Sequence, residues 1–81
     1  MKARIHVFYK DGVFDPQGNT VLHALESLGF KETKNVRVGK YFEVTVNACD
    51  KKSAETEVRA MCDKLLVNPV IEEYSFELNA V

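Results

Sequence analysis

A chain of 81 residues with a net charge of −1 has room for one domain, and a domain this small buries only about 60–65% of the surface its unfolded chain exposes. Acids and bases are interspersed, so there is no basic footprint for nucleic acid, and no apolar run approaches the ~18 residues of a membrane helix. The two cysteines, Cys49 and Cys62, form no CxxC pair and share no ligand spacing with His6 or His23, which argues against a disulfide framework or a metal cluster. No signal-type segment is evident, and a reduced, cytoplasmic setting is the expectation. Self-association or complex formation is left as the support for a small core.

The first element is "ARIHVFY", in which Ala3, Ile5, Val7 and Tyr9 alternate with Arg4, His6 and Phe8. Period-two alternation predicts a half-buried strand, and Asp11-Gly12 predicts the turn after it. A helix follows. Asp15 suits its N-cap and Pro16 its first position, where a missing N–H costs nothing. Val21, Leu25 and Leu28, with Leu22 beside them, make one apolar stripe expected to face a sheet. Gly29 is placed to end the helix in left-handed geometry.

The segment "NVRVGKYFEVTVNA" reads in two ways. A hairpin at Gly39-Lys40 would place Val36 and Val38 on one face and Phe42, Val44 and Val46 on the other. One continuous strand from Asn35 to Ala48 keeps Val36, Val38, Phe42, Val44, Val46 and Ala48 together, with Lys40 the exception. Register follows the apolar set, so the continuous strand is preferred, bent or bulged at Gly39. At about 3.3 Å per residue it would span about 40 Å, more than one small sandwich needs.

The second helix is expected from about Lys51 to Val67, capped by Asp50, with Ala54, Val58, Met61, Cys62 and Leu65 as its stripe and Pro69 as its stop. In the last strand, "VIEEYSFEL", Tyr74, Phe76 and Leu78 alternate with Glu73, Ser75 and Glu77. The order β-α-β-α-β predicts an α+β two-layer sandwich: an antiparallel sheet, a long bent central strand, two helices on one face, and a likeness to ferredoxin-like units.

Candidate chemistry is sparse. His6 and His23 lack a neighbouring nucleophile or carboxylate in a catalytic arrangement. Cys62 falls inside an apolar stripe, where a thiol behaves as a small hydrophobe. Glu72 and Glu73 point to opposite faces of a strand and cannot form a dyad. "VRVGK", with Arg37, Gly39 and Lys40, reads either as a phosphate-holding turn or as a bent strand; phosphate loops normally precede a helix.

"DPQG" at the start of the first helix, "HALESLGF" at its end, "VRVGKYFEV" and "MCDKLLVNPVIEEYSFEL" together resemble the PurS family, the small subunit of phosphoribosylformylglycinamidine (FGAM) synthase in purine synthesis. The likeness runs from the first strand to Leu78. Phe14 departs from it, as does the short tail after Leu78. The resemblance implies a non-catalytic adaptor that helps a glutaminase subunit and a synthetase subunit assemble and pass ammonia between them. It implies a homodimer or higher homo-oligomer, with ATP and Mg used by the synthetase partner and no cofactor, nucleic acid or membrane bound by this chain. The residues expected to meet a partner are Asp15, Pro16, Gln17, Gly18, Arg37, Gly39, Lys40, Asn68 and Pro69, with Gly18 leaving room for a partner backbone. The rival reading is a small ferredoxin-like regulatory module that binds a metabolite between subunits.

Overall fold

The computed structural model describes residues 1–80. Strand β1, Lys2–Tyr9, is the centre of a three-stranded sheet, with β2, Lys40–Thr45, on one side and β3, Glu72–Asn79, on the other. Both pairings are antiparallel, and Ile5 stands opposite Phe42 on one side and Phe76 on the other. The β1–β2 ladder extends one step past β2: Val46 N–H donates to the Met1 carbonyl, and the Met1 ammonium to the Val46 carbonyl, each at 2.8 Å.

Alternation in β1 has the expected result. Ala3, Ile5 and Val7 are 0–1% exposed, while His6 on the other face is exposed. Phe42, Val44, Tyr74, Phe76 and Leu78 pack around them. Helix α2, Lys51–Met61, closes this inner face. Asp50 caps it by accepting from Ser53 N–H at 2.9 Å, and Ala54, Val58 and Cys62 lie one turn apart and fully buried.

The last turn of this helical run is not α. Residues Cys62–Leu66 form a π turn, closed by Val67 N–H to the Cys62 carbonyl at 3.0 Å. A π turn accommodates one extra residue, so the stripe slips. Leu65, expected in the core, is 83% exposed, and Val67 is buried in its place.

Helix α1, Pro16–Ser27, begins and ends as its sequence requires. Asp15 caps it through Gly18 N–H at 2.9 Å. At the other end Gly29 has φ 104, with Gly29 N–H on the Glu26 carbonyl and Phe30 N–H on the Leu25 carbonyl, a Schellman closure. Its location departs from expectation. No α1 side chain enters the core cluster, so α2 alone covers the inner face. Leu22 and Leu25 are half-buried, whereas Val21 and Leu28 are 41% and 75% exposed. The molecule is correspondingly long, 50 × 27 × 14 Å with a radius of gyration of 16.1 Å, against about 12 Å for a compact chain of this length.

The long strand is also corrected. Regular pairing covers Lys40–Thr45 rather than 35–48, and residues 34–39 run as an irregular lead-in. No hairpin forms at Gly39-Lys40. Pairing of Val7 with Lys40 would continue to Tyr9 and Val38, but side chains divert these backbone groups. Val38 N–H goes to Asp15 Oδ2 at 2.8 Å, and the Tyr9 carbonyl accepts from Arg37 Nη2 at 2.6 Å. At Gly39 a Cβ would lie 2.5 Å from the Val7 carbonyl oxygen, so glycine admits the lead-in to the sheet by close approach.

Candidate assembly interface

The register brings the ends of all three strands together: Lys40 of β2 lies opposite Val7, and Glu72 of β3 opposite Tyr9. Around this end of the sheet stand all nine residues expected to meet a partner. Pro16, Gln17, Gly39 and Lys40 share a concavity of about 420 Å³ with Val7 and Glu72. Asp15, Gly18 and Arg37 line a neighbouring one of about 300 Å³ with Tyr9 and Lys10. Asn68 and Pro69 form the turn that leads into β3, and Lys10 Nζ donates to the Pro69 carbonyl at 2.6 Å.

Polar groups here hold one another. Glu72, whose side chain is 10% exposed, accepts from Asn68 N–H at 2.8 Å and pairs with Lys40 Nζ at 3.3 Å across the end of β1. Asn68 Oδ1 accepts from Val70 N–H at 3.1 Å. The Arg37 guanidinium lies 4.9 Å above the Phe8 ring. The Asp15 carboxyl is held below its usual range, first by the Val38 N–H and then by the Gly18 N–H, because hydrogen bonds to a carboxylate favour its charged form. Gly18 is buried, and a Cβ there would collide with the Val36 carbonyl oxygen. The backbone that needs its missing side chain thus belongs to the same chain.

The outer face of the sheet is polar and self-satisfied. Tyr41 Oη donates to Glu43 Oε2 at 3.0 Å, Lys2 pairs with Glu43 at 3.4 Å, and His6 packs its ring 5.0 Å from that of Tyr41. The Tyr41 hydroxyl, followed by Lys2, keeps the Glu43 carboxyl low. Cys62 is buried and Cys49 exposed; burial pushes the Cys62 thiol up, away from nucleophilic use. Among the described residues no group of three His, Cys, Asp or Glu side chains is placed to hold a metal ion, and no helix is long and apolar enough to cross a membrane.

Uncovered apolar surface lies instead on α1 and at the turns. Phe14, Val21, Leu28 and Phe30 are exposed along or beside α1, and Leu65 and Val70 before β3. From Pro16 to Leu28 the sequence has one charged residue, Glu26. Depletion of charge with apolar exposure marks the core of a protein–protein contact. Sequence reading missed this surface because an amphipathic stripe signals that a helix is covered without saying by which chain. The low charge of α1 was the available signal.

An ordered three-stranded core beside an uncovered apolar helix defines a small α+β assembly module. Comparison with known proteins gives that class a family. The family model for phosphoribosylformylglycinamidine (FGAM) synthase, PurS, matches residues 2–80. The Bacillus subtilis phosphoribosylformylglycinamidine synthase subunit PurS is 44% identical over 80 residues, 99% of this chain and 94% of that protein. A crystal structure of B. subtilis PurS superposes with a TM-score of 0.88 at 43% identity, covering 98% of each chain. A chain in the structure of PurLQS from Thermotoga maritima superposes with a TM-score of 0.86 at 38% identity, covering 94% of this chain and 93% of that one. The chain belongs to the PurS family, the small subunit of FGAM synthase in purine biosynthesis.

Proposed function

We propose that this chain is the adaptor of its FGAM synthase: it pairs with itself and helps a glutaminase subunit and a synthetase subunit assemble so that ammonia passes between them. In this reading the synthetase subunit uses the ATP and Mg, this chain binds no cofactor, and the complex works in the cytoplasm. The observation that carries it is the uncovered, nearly uncharged face of α1, in a chain that matches a PurLQS component along almost its whole length. Ammonia released into water is protonated and diluted, so a synthase that uses it needs two active sites held in fixed register. A chain whose polar groups at this end of the sheet bind one another and whose nearly uncharged helix face is uncovered is suited to that task.

The test is reconstitution. The purified chain is sedimented at micromolar concentration, then mixed with the glutaminase and synthetase subunits of the same organism, with glutamine and nucleotide present. The expected result is a self-associated species alone, a three-component complex in the mixture, and glutamine-dependent FGAM formation that needs all three. A monomer that joins neither subunit and leaves that activity unchanged would refute the reading.

A further inference from the structure

Helix α1 carries the proposed assembly face, yet none of its side chains anchors it in the core. Something else must set its angle to the sheet. An N-cap needs a single acceptor oxygen. Asp15 uses both of its own: Oδ1 takes Gly18 N–H at 2.9 Å, and Oδ2 reaches 23 positions along the chain to take Val38 N–H at 2.8 Å. Val38 is two residues before β2, which is paired to the central strand. One carboxylate therefore bridges the start of α1 and the lead-in to the sheet. Two neighbours reinforce the joint. Gly18 lets the Val36 carbonyl close against the helix, and Arg37 ties the same lead-in to the Tyr9 carbonyl.

Resting on the adaptor reading, we propose that Asp15 is the positioning residue of the assembly arm: its bidentate clamp on Gly18 and Val38 fixes the angle at which α1 presents Val21, Ala24 and Leu28 to a second copy of the chain. These three residues lie at i, i+3 and i+7 on one side of the helix, and all three are exposed. A two-fold contact uses the same patch on both copies, so an error in arm angle enters twice. Other capping residues cannot replace the carboxylate. Serine caps the helix but is too short to reach Val38. Asparagine caps with its oxygen and then turns an N–H toward the Val38 N–H.

The test compares the wild-type chain with Asp15→Ser and Asp15→Asn, using sedimentation, circular dichroism and amide hydrogen exchange. Both variants keep a helix cap, so helical content should stay near wild type, and exchange at Ile5 in the core should be unchanged. Exchange at Val38 should be protected in the wild type and at least tenfold faster in each variant. Self-association and capture of the synthase partners should weaken at least tenfold. Rapid exchange at Val38 in the wild type would overturn the clamp, and wild-type association by Asp15→Ser would overturn its positioning role while leaving the adaptor reading intact. A wild-type chain that stays a 9.2 kDa monomer and captures no partner would overturn both, and that failure is visible without any variant.

Discussion

Helix α2 buries Ala54, Val58 and Cys62 completely and turns Lys51, Lys52, Glu57 and Arg59 to solvent. Helix α1 has an equally regular stripe, leaves Val21 and Leu28 in water, and has only Glu26 as a charged residue. At the flank where α2 meets β3, Arg59 pairs with Glu55 at 3.5 Å and lies 5.2 Å above the Phe76 ring. A helix docked in its own core carries solvating charge on its back, whereas the cores of protein–protein contacts are depleted of charge. One stripe is fully buried against the sheet, the other is only half-buried at Leu22 and Leu25 and tied at its start by hydrogen bonds, and the two should fail in different ways.

The sharpest contrast comes from placing a charge on each stripe. Val58→Asp puts a carboxylate in the fully buried core, at a cost of several kcal/mol in a domain of about 5–15 kcal/mol total stability. Loss of the folded state is expected by circular dichroism at 25 °C. Leu28→Glu should shift the unfolding free energy of the isolated chain by no more than about 0.5 kcal/mol, while weakening self-association at least tenfold, about 1.4 kcal/mol. If Leu28→Glu unfolds the chain as Val58→Asp does, then α1 is part of the core after all and the contrast collapses.

Gly18→Ala tests the joint between the regions. Its Cβ would collide with the Val36 carbonyl oxygen, and overpacking of this kind typically costs about 1–3 kcal/mol. Denaturant unfolding should show that loss, and exchange of amides in the lead-in should rise. An unchanged midpoint would mean that α1 can shift without loss.

Acid gives the mildest separation. Asp15 and Asp50 cap the two helices, and both have carboxyls lowered from the ordinary value of 3.8 by the hydrogen bonds they accept. A carboxylate with a depressed folded value stabilises the fold above the unfolded value, and that contribution is lost as pH falls through the folded one. No change is therefore expected between pH 7 and pH 5. Below about pH 3.8, exchange at Val38 should accelerate before that at Val58, because α2 keeps its fully buried stripe when its cap is protonated while the α1 stripe is only half-buried. Simultaneous loss of both would show that the arm and the core form one cooperative unit.

Much of this fold was written locally. Alternation fixed β1 and β3, since a buried face repeats every second residue. Asp15-Pro16 and Gly29 fixed the ends of α1, and Asp50 the start of α2, because caps act within one turn. Four short stretches in order carried the family. Other features depend on groups far apart in sequence and were decided in three dimensions. The ladder of β2 stops at Lys40 because Asp15 and Arg37, on either side of α1, capture backbone groups that the strand would have used. The π turn at Cys62–Leu66 expels Leu65, which no stripe count anticipates, since a stripe presumes a constant period. The nine candidate residues gather at one end of the sheet only once the strand register is set. The location of α1 lay furthest from sequence reading. Periodicity records that a helix has an apolar side, but where that side is buried depends on which surfaces the rest of the chain leaves open.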